Sequence, residues 1–595
     1  MYNYLVMRRM CKMNIPRSEY PRPQLVRKPW KSLNGPWRFA KDQGCSGMDR
    51  KLYETTLDDE TILVPFCPES KLSGIGFTDF MAAVWYQRDI NIPVDWAGRR
   101  IRLHFGAVDY HATVWLNGKE VGQHKGGYTP FCFDITDYLR DAGNTLTLCA
   151  MDDTRGGKQP KGKQSSKYYS NGCDYTRTTG IWQTVWLEAV DPICVDAVQF
   201  TPYAEDGSVL MDIAASQPAD YANIEITYQG KAMASSRVAF SGNRATEKLK
   251  LTESHLWTVG KGELYDVTIT LESQGNVTDR VESYFGLRTI TWDQKGIKIN
   301  GEYIYQRLVL DQGFYPDGIY TAPTDDALKK DIELSLAMGF NGARLHEKIF
   351  EPRYLYWADK LGYLCWGEHA NWGLDITTMD GLKHFLPEWM EAIRRDYSHP
   401  SIVGWCPFNE TWNKRRPDAP FDTSSGIPQD DDVLRMTYEV TKAMDTTRPV
   451  IDTSGNFHVI TDVYDIHCYD QNVEHFKEKL DSKDGVYITF EKRQGHTYTG
   501  QPFFVSEYGG IKLSEDESSW GYGNAPESVE EFVERYDGLT TALLQSPKVC
   551  AYCYTQLYDV EQEANGLYTY SREAKVDPQV IAKINKQVAA IEETE

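Results

Sequence analysis

The sequence predicts a multidomain protein: an N-terminal jelly-roll β-sandwich over 1–191, an immunoglobulin-like β-sandwich over 192–288 and a C-terminal (β/α)8 TIM barrel over 289–595. Three observations carry this reading. At 595 residues the chain exceeds what one hydrophobic core fills, so roughly three domains are expected. The first half reads as short strands separated by turn residues, whereas the second alternates strand-like runs with helical periods. Two apolar runs in the second half each end on a carboxylate, Glu410 and Glu507, as barrel strands delivering acids to one rim would.

From about 22 to 190 the pattern is all-β. Runs at 99–105, 112–116, 129–133 and 145–150 alternate apolar positions, and Asn117-Gly118 marks a hairpin, because a type I′ turn needs positive φ at both central residues. Short strands at this spacing suggest a jelly roll. The stretch 158–171 is rich in Lys, Gln, Ser and Gly; an exposed loop is expected, of a kind that can reach over a neighbouring site. Asp191-Pro192 then marks a boundary. Four further runs between 192 and 288, among them SVLMDIAAS and ELYDVTITLES, fit an immunoglobulin-like sandwich without its disulfide.

After SYFGLRTI the period changes. Leu328, Ile332 and Leu336 fall on one helical face, with Asp325 and Asp326 favourable at the helix N-terminus. Eight β-runs follow one another in about 300 residues: YIYQRLVLD, GFNGARL, YLCWGE, SIVGWCPF, RPVIDTS, DVYDIHCY, PFFVS and VCAYCYTQL. Right-handed βα units repeated eight times close into a barrel.

Composition narrows the function. The net charge of −21 repels phosphate backbones and anionic lipid, so no nucleic acid or membrane partner is expected. No apolar run reaches the roughly eighteen residues a membrane span needs. The first fourteen residues show no apolar signal-peptide core. The twelve cysteines have no repeating spacing, which suits a cytoplasmic protein with buried thiols and no zinc site. Aromatics at 13% suit sugar stacking, although large cores also use them.

Retaining glycoside hydrolysis needs two carboxyls about 5 Å apart, one protonated to assist the leaving group and one ionised to attack the anomeric carbon. Glu410 and Glu507, at the ends of strands four and seven, could meet at one barrel face. In these segments the chain resembles glycoside hydrolase family 2, the group of β-galactosidases, β-glucuronidases and β-mannosidases. The resemblance spans nearly the whole chain, through GPWRF, GIWQTVWLE, LWTVGKGELYDV and FGLR, and is most specific in HPSIVGWCPFNE and FFVSEYG.

That resemblance implies roles residue by residue. Glu410 matches the general acid/base and Glu507 the nucleophile. Asn409 matches the Asn that binds the sugar 2-hydroxyl, Arg344 the strand-two Arg beside the nucleophile, and Tyr469 the Tyr that donates to it. His346 and His467, near strand ends, are candidate sugar contacts. Structural readings stand beside these: a helix cap for an isolated Glu, an ion pair for Arg344, core packing for Tyr469, His346 and His467. Glu368 resembles an acid that binds sugar or metal in some members, but no metal and no cofactor is expected. Tyr554 stands where the family places a Trp under the sugar, and Asp311 where its β-galactosidases carry a His-rich segment.

Glucuronide specialists of the family carry an Asn-x-Lys pair after strand eight; here that region reads Ala564-Asn565-Gly566-Leu567-Tyr568, with no Lys. A buried anionic sugar would lack its partner, so a neutral sugar, first of all a β-galactoside, is expected. The alternative source of a cation is the Lys-rich stretch 158–167. The leading expectation is a retaining exo-β-glycosidase; β-glucuronidase, β-mannosidase and arabinosidase activities remain open, as does a non-catalytic carbohydrate-binding protein. The expected partner is a carbohydrate or glycoside substrate, and homo-oligomerisation is left open.

Overall fold

The computed structural model describes residues 15–412, 427–455, 457–480 and 498–593. Residues 1–14, on which the signal-peptide expectation rested, lie outside the described residues. The chain divides into two compact units, one of Met1–Asp152, Arg177–Pro192 and Asp317–Ala327, the other of Asp153–Thr176, Ile193–Pro316 and Leu328–Glu595. Residues 153–176, which the sequence assigned to the N-terminal sandwich, thus belong to the second unit.

The first unit is a sandwich of antiparallel sheets. Its six-stranded sheet runs Glu60–Val64, Gly35–Lys41, Ala83–Ile90, Asn144–Met151, His111–Leu116 and Lys119–Lys125; its four-stranded sheet runs Trp30–Ser32, Val185–Val190, Arg100–Phe105 and Phe131–Asp134. Alternating inward residues such as Val84, Tyr86, Val114, Leu146, Leu148, Leu103 and Leu187 form one core. Asn117 at φ 55° and Gly118 at φ 80° make the tight turn between His111–Leu116 and Lys119–Lys125.

In the second unit, seven strands between 195 and 285 form a three-stranded and a four-stranded antiparallel sheet. Every described cysteine of the chain is free, so this immunoglobulin-like sandwich holds without a bridge, on buried residues such as Met211, Ile224, Ile269 and Val281.

The rest of this unit is the barrel. Strands one to eight are Gln306–Asp311, Gly342–Leu345, Leu364–Glu368, Ile402–Cys406, Thr453–Ser454, Tyr464–Cys468, Phe503–Gly509 and Val549–Thr555. Seven are hydrogen-bonded in parallel in the order four, three, two, one, eight, seven, six. Strand five pairs in parallel with Phe408–Asn409, the continuation of strand four. These are the eight runs expected. The helix Asp325–Ala337 buries Leu328, Ile332 and Leu334; Leu336, expected on the same face, is only half-buried. No described helix is long and apolar enough to cross a membrane.

Candidate active site

Strand four delivers its acid by a break in the ladder. After Asn409 the chain turns at Glu410, whose φ of 48° lies in the left-handed region, and the Glu410 amide donates to Ser454 O at 2.8 Å. A non-glycine residue held there is strained, and such strain tends to gather at functional positions. Glu507 lies inside strand seven, buried and facing the barrel interior. One carboxylate oxygen of Glu410, one of Glu507 and a ring nitrogen of His467 all lie within 4.8 Å of one another.

His467 bridges the acids. Its Nδ1 is 2.8 Å from Glu410 Oε1 and 3.4 Å from Glu507 Oε2, and its Nε2 is 2.9 Å from Ser454 Oγ. Because Ser454 Oγ donates to Asp465 Oδ2 at 2.6 Å, Nε2 must donate to Ser454, and a carboxylate at Nδ1 then favours the doubly protonated ring. Burial pulls the His467 pKa down, but the charge of Glu507 and the bond to Glu410 outweigh it and raise it. Burial in turn pushes Glu410 up, and the His467 bond and charge bring it below the ordinary carboxylate value.

Glu507 is held from two sides. Arg344 Nη1 donates to Glu507 Oε1 at 3.2 Å and to Ser506 O at 2.8 Å, while Tyr469 Oη donates to Glu507 Oε2. The same Arg344 reaches Glu368 Oε1 through Nε at 2.6 Å and Asn409 Oδ1 through Nη2 at 3.2 Å. Glu368 Oε2 faces His346 Nδ1 at 3.2 Å, and His346 Nε2 lies 4.0 Å from Glu507 Oε1. Burial, then the nearby Lys163, hold His346 far below its usual pKa, so its ring is neutral. Seven expected site residues, Glu410, Asn409, Arg344, His346, Glu368, His467 and Tyr469, thus surround or orient Glu507.

Two do not. Tyr554 is fully buried, and its ring packs on Tyr508 and Tyr536, the latter on the helix Val529–Gln545. Along a strand, side chains alternate faces, so Thr555 is the strand-eight residue that points inward, 3.0 Å from Tyr469 Oη. Asp311 is also spent on structure: Tyr558 Oη and the Gly313 amide donate to Oδ1, and Tyr354 Oη donates to Oδ2 at 3.0 Å.

Several supporting residues carried no sequence signal. Asn371 Oδ1 accepts from the Asn409 amide at 2.7 Å, and Trp372 Nε1 donates to Asn409 O at 3.1 Å. Tyr522 stacks on Tyr469 with ring centroids 3.5 Å apart. Next to Glu507, Asp465 accepts from Ser454 and Ser506 and lies beside the buried His458, whose Nδ1 is 2.7 Å from Asp452 Oδ1 and Nε2 3.1 Å from Asp465 Oδ1.

Burial lowers the His458 pKa, but Asp452 and Asp465 overcome it and push it up to about 10. A folded pKa above the unfolded one stabilises fully below about pH 6.5. That contribution fades as pH rises through about 10. His458→Gln should therefore lower Tm by several degrees at pH 6 and by much less at pH 10; equal losses at both would contradict a charged His458.

The stretch 153–176 is a strap rather than an exposed loop. Trp520 Nε1 and Gln562 Nε2 donate to Gly172 O, Tyr175 Oη donates to Glu563 Oε2, and the Asp375 amide donates to Gly157 O. Lys161 Nζ is satisfied by Gln164 O, Gly162 O and Asp174 Oδ1. Lys163 is buried with its Nζ 3.7 Å from the centroid of the Trp372 ring. Residues 159–165 are buried, while Asp153, Arg155, Gly156, Lys158, Gly172 and the tip at 166–169 are exposed, Tyr168 and Tyr169 about two-thirds so.

A (β/α)8 barrel with two carboxyls at this spacing, one beside a guanidinium and one beside an imidazole, has the parts of a glycosidase. The chain belongs to glycosyl hydrolase family 2. It matches the family's sugar binding domain over residues 30–190, its central domain over 194–288 and its TIM barrel domain over 320–539. Among similar proteins is a β-glucuronidase of Paenibacillus borealis, 24% identical over 87% of this chain and 89% of its own length. Another is the β-glucuronidase of Canis lupus familiaris, 25% identical over 74% and 70%. A solved β-glucuronidase from an uncultured Clostridium sp. superposes with a TM-score of 0.76 at 21% identity, over 97% of this chain and all of its own.

Proposed function

We propose that the protein is a retaining exo-β-glycosidase that removes a terminal β-glucuronosyl group by double displacement. The observation that carries the mechanism is the close approach of Glu410 and Glu507: carboxyls at about 5 Å suit direct attack, whereas a wider gap admits a water between them. In this reading Glu507, steered by Arg344 and Tyr469, attacks the anomeric carbon. Glu410 protonates the departing oxygen and then deprotonates the water that releases the sugar. The proton that His467 holds in the ligand-free site reaches Glu410 across their 2.8 Å contact. Asn409, anchored by Arg344, Asn371 and Trp372, presents its Nδ2 to the 2-hydroxyl, a contact that strengthens in the transition state.

The choice of a glucuronide replaces the neutral β-galactoside expected from residues 565–567. Its support is the run of β-glucuronidases among the relatives and the buried lysine that the strap adds. A neutral sugar is the second reading. It is favoured by Asn565, whose Nδ2 donates to Glu563 Oε1, and by Lys575, whose Nζ donates to Asp559, so neither is left for a substrate carboxylate. A panel of 4-nitrophenyl β-glycosides decides between them. The glucuronide should exceed the galactoside, glucoside and mannoside by at least about a hundredfold in kcat/KM. A neutral glycoside as the best substrate would overturn the sugar assignment and leave the mechanism standing.

A further inference from the structure

The strap brings a buried cation to the barrel, Lys163 over Trp372, whereas residues 565–567 of the loop after strand eight carry none. Lys163 is only 5% exposed. Its ammonium lies over Trp372, whose indole N–H bonds Asn409 O and whose amide donates to Glu347 Oε2 at 3.1 Å. Lys163 therefore stands one ring away from the residue that precedes Glu410. Among the described residues, none accepts a hydrogen bond from its Nζ and none forms an ion pair with it.

The other buried cations of the neighbourhood are committed. Arg344 serves Glu368 and Glu507, Lys161 serves the strap, and Lys348 donates to Gly313 O. Glu410 is the ionised carboxylate that acts on Lys163, through its charge and without a hydrogen bond; the other two nearby carboxyls offer it less. Glu563 accepts from Tyr175 and Asn565, and Glu347 from Trp372, and burial pushes the pKa of both upward, toward the neutral form. A buried ammonium with idle donors carries a desolvation cost that an arriving anion would relieve.

We propose that Lys163 is the specificity-determining residue for the substrate's charge: its ammonium receives the C6 carboxylate of a uronic-acid sugar seated between Glu410 and Glu507. This rests on the glucuronide reading above and supplies the cation that residues 565–567 lack. Two substrates that differ only at C6, 4-nitrophenyl β-D-glucuronide and 4-nitrophenyl β-D-glucoside, test it on full-length wild type, K163Q and K163R. The quantity read is the ratio of their kcat/KM values within each preparation, because partial misfolding lowers both numbers alike. The wild-type ratio should favour the glucuronide, K163Q should lower the ratio about a hundredfold or more, and K163R should restore part of it. A glucuronide-preferring wild type whose ratio survives K163Q would overturn the role of Lys163 and leave the substrate reading intact. A wild type that prefers the glucoside would overturn both.

Discussion

Glu507→Gln should abolish turnover of every glycoside, by roughly 10^4-fold or more in kcat, while the protein stays folded. The amide is nearly the size of the carboxylate and can still face Arg344 and Tyr469, so the loss reports chemistry rather than collapse. In the proposed mechanism no other described carboxylate takes its place: Glu368 is tied to Arg344 and His346, and Glu410 is assigned the acid/base role. Steady-state assays with an activated aryl glycoside, paired with a thermal melt, check this. Activity within tenfold of wild type would mean that the nucleophile is elsewhere.

Glu410→Ala should separate substrates by leaving group. A poorly acidic alcohol needs the proton that Glu410 supplies, so its kcat/KM should fall about 10^3-fold. A dinitrophenolate leaves without help, so its kcat/KM should fall less than about tenfold. Its kcat should still drop, because Glu410 also activates the water that hydrolyses the glycosyl-enzyme, and azide should restore turnover by replacing that water. Equal losses in kcat/KM for both classes, with no rescue by azide, would contradict the acid/base role.

The scaffold was legible because its signals are local. Alternation in the first half, eight β-runs in the second and the Asn-Gly turn each depend on a few neighbouring residues. Glu410 and Glu507 were legible for the same reason, each closing a short apolar run in a specific motif. Position along a strand decided less. Tyr554 and Thr555 are adjacent, and only the phase of the pleat, which tertiary packing sets, turns Thr555 inward and Tyr554 toward Tyr536. Asp311 looked like a sugar contact because it ends strand one, yet Tyr558, nearly 250 residues away, claims it.

The strap shows the reverse case. Its Lys, Gln, Ser and Gly composition reads as solvent-exposed, and composition says nothing about the partners that bury it. Gly172, Tyr175 and Lys161 are held by residues from three separate later segments: Trp372, Trp520, and the stretch from Gln562 to Glu563. Contacts of that range leave no periodicity in the sequence. The lysine was legible as a residue near a possible site, and its burial over Trp372 was not.

Retention of configuration ties the fold, the carboxyl pair and the proposed roles into one observable. Proton NMR of the sugar released in the first minutes from 4-nitrophenyl β-D-glucuronide, or from the best substrate of the panel, reads it directly. With Glu507 as nucleophile and Glu410 within about 5 Å of it, the β-anomer should appear first and the α-anomer only later, by mutarotation. First appearance of the α-anomer would show a single displacement by water and contradict the double-displacement mechanism.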